Sequence, residues 1–248
     1  MPYYSYRLLT FNAIDATIGK DETGKDEKEF QVQMFGINEK GDSAAIFVKG
    51  YTPFFFVKVG DDWNHSHRNR FVSHIRNLMG DYYEDSIRET KLRKRKKLYG
   101  FDGGKDHTFL EINFNTEAAM RKAKSLWYTN TKSSSKGEYK RELIKGGFVF
   151  EGVGIELYEA QIPPLLRMFH ICEMSPSGWI GLPVKKTARI KTKTTSCKHE
   201  FTIDYKNIKP LPEKETRVPY KIASFDIEAS SSHGDFPLAK KNYKKLAT

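Results

Sequence analysis

Two carboxylates, Asp226 and Glu228, stand two residues apart at the end of the short apolar run 222–227. The run holds no Gly or Pro and follows Pro219, so the pattern predicts a buried β-strand. Side chains alternate along a strand, which puts Asp226 and Glu228 on one face, about 7 Å apart along the backbone. Two anions on one face of a buried strand are costly unless a cation or hydrogen-bond donors offset them. Mg²⁺ or Mn²⁺ held by carboxylates and water meets that need, and a pair of such ions clamps the attacking and leaving oxygens in phosphodiester cleavage. Spacing alone leaves the matter open. Asp-x-Glu is expected about once by chance in a chain of this length, and the competing reading is a solvated pair at the C-terminal end of a strand.

The elements that must position this pair begin far upstream. Residues 4–14, 30–37, 44–48 and 54–59 read as strands, separated by a charged turn at 20–28, a short turn at 38–41 and Pro53. The triplet Phe54, Phe55, Phe56 reads as core, with base stacking as the alternative. After Trp63 the spacing turns helical through Phe71, Val72, Ile75, Leu78 and Met79, and Gly80 stops it. His65, His67 and His74 fall at the start and on the polar side of this helix, where they need no metal. Residues 109–114 predict a further strand. Asn115 or Thr116 then caps a helix carried by Ala118, Ala119, Ala123, Leu126 and Trp127. Strands followed by a helix, twice over, predict an α+β unit, a mixed domain of antiparallel strands and helices.

Residues 130–140, rich in Ser, Lys and Gly, read as an exposed loop. Pro163 and Pro164 fit the first turn of a helix whose Leu165, Leu166, Met168, Phe169 and Cys172 pack along one side, making Cys172 a core residue. Cys197, His199, Phe201, Ile203 and Tyr205 alternate with Lys198, Glu200, Thr202 and Asp204 in a period-2 strand. Residues 208–216, with Pro210 and Pro212, read as a linker into the strand of Asp226.

Charge and composition narrow the partners. The 248 residues are 38% hydrophobic and 13% aromatic, which excludes a disordered protein, and they carry a formal charge of +11. Such an excess favours a polyanion such as nucleic acid. It concentrates in two runs. Lys91, Arg93, Lys94, Arg95, Lys96 and Lys97 form the denser one, while Lys185, Lys186 and Arg189 open a second that extends to Lys198. Phosphate contact is the functional reading for both, and a solvated face is the plain one. No apolar run approaches a membrane span and no signal peptide opens the sequence, which predicts a protein that is neither membrane-bound nor secreted. Cys172 and Cys197 lack metal-ligand spacing, consistent with a reducing compartment and no zinc site.

The run Ala223, Ser224, Phe225, Asp226, Ile227, Glu228, with Gly234, Asp235, Phe236 and Pro237 after it, resembles the first exonuclease motif of the family B DNA polymerases, in particular their delta-like branch. Residues 33–59 resemble the amino-terminal domain of the same enzymes, and residues 158–182 the segment before their exonuclease. The loop Ser231, Ser232, His233, Gly234, Asp235, Phe236, Pro237 is similar to polymerases of large cytoplasmic DNA viruses. The resemblance implies a fold of two parts: residues 1–216 as the amino-terminal domain, and 217–248 as the first strand and loop of a ribonuclease-H-like 3′ to 5′ exonuclease. It implies that Asp226 and Glu228 ligate Mg²⁺ or Mn²⁺ in a proofreading site. Implied partners are primer-template and single-stranded DNA, with a sliding clamp or accessory subunits. The implied compartment is the nucleus or a cytoplasmic viral replication site. The family's remaining exonuclease carboxylates and its polymerase aspartates lie in later motifs, so the 248 residues read as an inactive amino-terminal piece of a replicative polymerase. Two other readings stay open: a stand-alone metal-dependent exonuclease, and a non-catalytic nucleic-acid-binding module.

Overall fold

A computed structural model of the chain describes residues 2–20, 22, 24–97, 100–132 and 139–226. The chain divides into two units, Met1–Val218 and Pro219–Thr248. The first is an α+β unit built on two sheets. Its opening strands are β1 (Tyr3–Lys20), β2 (Asp26–Ile37), β3 (Ser43–Lys49) and β4 (Phe54–Lys58). Helix α1 (His65–Met79) follows, then β5 (Ile87–Lys96), β6 (Asp106–Phe114) and helix α2 (Glu117–Lys124). Next come β7 (Tyr128–Lys132), β8 (Tyr139–Leu143), β9 (Phe148–Phe150), β10 (Val153–Tyr158) and helix α3 (Pro164–Ile171). The unit closes with β11 (Trp179–Pro183), β12 (Thr187–Arg189), β13 (His199–Asp204) and the two-residue β14 (Lys209–Pro210).

One sheet runs in the order β12-β13-β3-β2-β1-β11-β14, antiparallel throughout except for the parallel pair β13 and β3. Its connectivity dictates its curvature. Only Val184–Lys186 joins β11 to β12, and such a link reaches at most about 14 Å. Laid flat, the four intervening strands would hold β11 and β12 about 24 Å apart. The sheet therefore coils on itself, and Tyr4 and Tyr6 of β1 meet Phe201 of β13 with ring centroids 5.0 and 5.8 Å apart. Leu8, Phe30, Val32, Met34, Ile46, Val48, Ile180, Leu182 and Ile203 fill the interior with Met168 and Phe169 of α3. Gly36 admits the close approach of β1: a Cβ there would lie 2.7 Å from the Arg7 carbonyl oxygen.

The second sheet, β5-β6-β4-β10-β9, is antiparallel and packs on α1 and α2. Helix α1 forms because Phe71, Val72, Ile75 and Met79 bury one face, while the Asn64 side chain accepts from the Ser66 and His67 amides and His67 completes a capping box. Gly80, at φ 85°, ends it. Leu78, expected on the buried face, is 44% exposed, because the stripe at 71, 75 and 79 leaves it on the flank. The phenylalanine triplet divides across its strand. Phe55 enters the core beside Phe114 and Trp127, and Phe54 and Phe56 turn to the opposite face. There the Arg167 guanidinium of α3 lies 4.5 Å from the Phe54 centroid, fixed by Glu159 through its side chain (2.6 Å) and its carbonyl (2.7 Å).

Several expectations are corrected. The flanks of the loop expected at 130–140 pair as the β7–β8 hairpin, the stretch between them lying outside the described residues. Residues 208–216 are not a free linker. β14 pairs with β11, the Leu211 amide donates to the Trp179 carbonyl at 2.9 Å, and the Trp179 indole donates to the Thr216 carbonyl at 3.1 Å. Pro210 fits in β14 because an edge position tolerates a residue without an N–H. Leu166 is 47% exposed, and the buried place on α3 goes to Arg167. Cys172 is half-buried against the core, its thiol pushed up by desolvation.

In the second unit, the described residues 219–226 form no strand, and Ile222 and Phe225 are 89% and 86% exposed. The buried strand expected over 222–227 is thus not formed among its described residues. A strand is stable only as part of a ladder, and no described strand pairs with this segment. Its apolar side chains consequently stay in water.

Candidate nucleic-acid interface and carboxylate pair

The first basic run is a strand, a fate its composition concealed. Pairing with β6 from Glu89 opposite Asn113 to Lys96 opposite Asp106 places Lys91, Arg93, Lys94, Arg95 and Lys96 on β5, at the edge of the five-stranded sheet, with Lys97 just beyond. Leu92 packs on the core, so Lys94 and Lys96 share its face while Lys91, Arg93 and Arg95 take the other. Half of this charge is answered locally; among the described residues Arg95, Lys96 and Lys97 meet no carboxylate within 4 Å, and Arg95 donates to the Lys94 carbonyl at 3.1 Å. Lys91 meets Glu89 at 2.6 Å, Arg93 meets Glu111 at 3.0 Å, and Lys94 meets Asp61 at 3.8 Å. Asp61 accepts from the amide and hydroxyl of Thr108, bonds that hold its carboxyl below the ordinary range with Lys94 and Lys105 assisting. Lysines on an edge strand also deter pairing with other chains.

The second run is arranged differently. Lys185 and Lys186 occupy the turn between β11 and β12, and Arg189 ends β12 at the edge of the coiled sheet. Residues 190–198 then fold back over a cleft of about 460 Å³ lined by Arg189, Lys191, Lys193, Lys198, His199 and Glu200. Glu200, expected on a polar face, is fully buried. Its carboxylate accepts from the Thr194 amide (2.9 Å), the Thr194 hydroxyl and the Thr195 amide. Burial alone would push this carboxyl up; the threonine donors outweigh it and hold it below its usual value. Glu200 is therefore the anchor of the loop.

Cations around the cleft are positioned by neutral acceptors. Arg189 Nη2 lies 3.0 Å from His199 Nδ1, and Lys193 Nζ donates to the Cys197 carbonyl at 2.9 Å. A guanidinium offers only donors, so in this contact Nδ1 accepts, while Nε2 lies 3.7 Å from the Asp42 carboxylate. Lys198 alone is paired, with Asp42 at 2.6 Å, a contact that leads in holding the Asp42 carboxyl below its ordinary value. Among the described residues no carboxylate pairs with Arg189, Lys191 or Lys193. From His199 in the lining, the rings of His199, Phe201 and Tyr4 follow one another at 6.1 and 5.0 Å, and Tyr4 is 38% exposed. Sequence reasoning named Lys185, Lys186 and Arg189 and took in Lys191 and Lys193 as part of the run to Lys198, but gave no such role to His199 or Tyr4.

Asp226 is exposed and belongs to no ladder, and Glu228 lies outside the described residues. Among the described residues no group of three or more His, Cys, Asp and Glu side chains converges as a metal site. The described residues alone do not make up a set for Mg²⁺ or Mn²⁺. No described helix is long and apolar enough to cross a membrane.

Residues 155–245 match the profile described as DNA polymerase family B, exonuclease domain. With the relatives that align along nearly its whole length, this match places the chain among the family B DNA polymerases. It is 49% identical over 251 aligned residues to a DNA polymerase of Phaeocystis pouchetii virus, an alignment covering 98% of this chain and 24% of the relative. A DNA polymerase of Pyramimonas orientalis virus is 30% identical, with 92% of this chain and 18% of the relative covered. The DNA polymerase delta catalytic subunit of Schizosaccharomyces pombe is 28% identical, with 83% and 18% covered. The chain spans about a quarter or less of the length of these curated relatives.

Proposed function

We propose that the chain is the amino-terminal part of a replicative DNA-directed DNA polymerase that carries a 3′ to 5′ proofreading exonuclease. The alignment with viral and delta-type polymerases, which covers 98% of the chain in its strongest case, carries this reading. Residues 1–216 serve as the amino-terminal domain and residues 217–248 open the exonuclease. Asp226 and Glu228 hold Mg²⁺ or Mn²⁺ there, together with carboxylates supplied by later segments; bound metal would activate water and stabilise the leaving oxygen. The exposure of Ile222 and Phe225 supports this role, since they are apolar side chains of a segment that waits for a sheet. Both basic runs contribute phosphate contacts to single-stranded or primer-template DNA. A sliding clamp or accessory subunits are the expected protein partners, in a nucleus or a cytoplasmic viral replication site.

The test uses two preparations, the 248-residue chain and a complete polymerase containing it. With Mg²⁺ present, the complete enzyme extends a primer and trims mismatched 3′ ends, and the 248-residue chain does neither. Synthesis or 3′ trimming that tracks with the 248-residue chain through repurification would overturn the assignment.

A further inference from the structure

The two basic runs are alike in sequence but not in what their charge can do, and the second carries a built cleft. We infer that the cleft between β12 and the 190–198 loop is a phosphate subsite for single-stranded nucleic acid, with Tyr4 as the platform on which an adjoining base stacks. This deepens the reading of the chain as part of a polymerase and rests on it.

Three observations converge on one place. Arg189 and Lys193 are fixed by an imidazole nitrogen and a carbonyl, acceptors that orient a cation without cancelling its charge. The only carboxylate in the lining, Glu200, has its oxygens turned to Thr194 and Thr195, so it holds the loop and is shielded from an incoming anion. Adjoining the cleft, the ladder His199, Phe201, Tyr4 ends in a partly exposed ring. Backbone-tracking cations beside an aromatic face are the combination that binds single strands without sequence preference. A cleft of about 460 Å³ has room for a nucleotide. Tyr6 lies at the same end of the coiled sheet. Its hydroxyl is pushed up to about 12, chiefly by burial, with Asp42 adding to the shift and Arg189 opposing it. It therefore stays neutral and adds no anion to the subsite.

The experiment measures fluorescence anisotropy of a short 5′-fluorescein oligothymidylate titrated with the 248-residue chain, so its outcome is independent of the activity assays above. Two triple variants of equal charge change are compared. Arg189→Ala/Lys191→Ala/Lys193→Ala is expected to weaken binding by about tenfold or more and to flatten the salt dependence by about one unit of log-log slope per lost contact. Lys91→Ala/Arg93→Ala/Lys94→Ala is expected to cost about threefold or less, because those side chains are paired to acids. Equal losses from the two variants would mean diffuse attraction and would overturn the subsite. Tyr4→Leu, which keeps apolar packing, is expected to weaken single-strand binding by about threefold; no change would remove the platform. A hairpin duplex of equal charge is expected to bind more weakly than the single strand, and equal affinity would refute the single-strand assignment. Melting curves accompany every variant. A cleft variant that melts low is replaced by Lys191→Gln/Lys193→Gln, which leaves Arg189 on His199 and must show a larger loss than the equally charged pair Lys91→Gln/Lys94→Gln.

Discussion

β5 and the β12 region are both edge-strand settings rich in Lys and Arg, yet Lys91, Arg93 and Lys94 of the first are paired to acids while Arg189, Lys191 and Lys193 of the second are not, among the described residues. On β5, Lys91, Arg93 and Lys94 each face a carboxylate within 4 Å. Around β12, Arg189 and Lys193 face uncharged acceptors, and the nearby Glu200 is buried under its own loop. Cross-strand pairing accounts for part of the difference. β6 presents Glu111 beside Arg93, while Lys91 takes Glu89 of its own strand and Lys94 takes Asp61 from the segment after β4. β13 presents Thr202 and Phe201 opposite Ala188 and Arg189, which leaves the guanidinium to find His199. A basic run thus tells little about binding until its neighbours are known.

The largest effect on this contrast should come from Glu200→Ala. The variant strands the Thr194 and Thr195 amides, a loss on the order of 2–3 kcal/mol, and should lower the melting temperature by about 5–10 °C for a chain of this size. Oligothymidylate affinity should fall with it, since the loop carrying Lys191 and Lys193 loses its anchor. Calorimetry and anisotropy on one preparation check both. Unchanged melting would show that the loop is held by something else.

A smaller effect is expected from acid titration of Asp61, the partner of Lys94 on β5. Asp61 is depressed chiefly by the Thr108 bonds. A carboxyl whose folded pKa lies below its unfolded value of about 3.9 adds stability that is complete above that value and is lost as pH falls through the folded one. Melting temperature should therefore drop as pH falls below about 4, and Asp61→Asn should drop less over the same interval. Equal slopes would deny Asp61 this role. The smallest effect belongs to Glu111→Gln. Freeing Arg93 from its acid should raise DNA affinity by about twofold, and a decrease would mean that β5 charge is not masked by pairing.

Much of the first unit was legible because its patterns are strong. Alternation at 30–37, 44–48 and 54–58 gave β2, β3 and β4, Thr116 caps α2 by accepting from the Ala119 amide as its type foretold, and the helical stripe at 71, 75 and 79 gave α1. β5 was not legible. Lys and Arg are poor strand formers, and only the ladder to β6 makes them one, a case of tertiary context overriding propensity. Nor did period-2 reading foresee Glu200 inside, since its burial depends on a loop that returns from five residues upstream to donate to it. Arg167 went unnoticed for a similar reason: its aromatic partners lie on β4, remote in sequence. As for Asp226 and Glu228, it was resemblance to a family and not spacing that singled them out.

The most direct test of the account is made on a complete polymerase that contains this chain. Asp226→Ala/Glu228→Ala is assayed for 3′ to 5′ trimming of a mismatched primer, for extension of a matched one, and for melting. Loss of metal ligands should lower trimming by several orders of magnitude while extension persists and the melting temperature holds. Trimming that survives, or extension lost together with a lower melting temperature, would contradict the assignment of these two carboxylates to the exonuclease site.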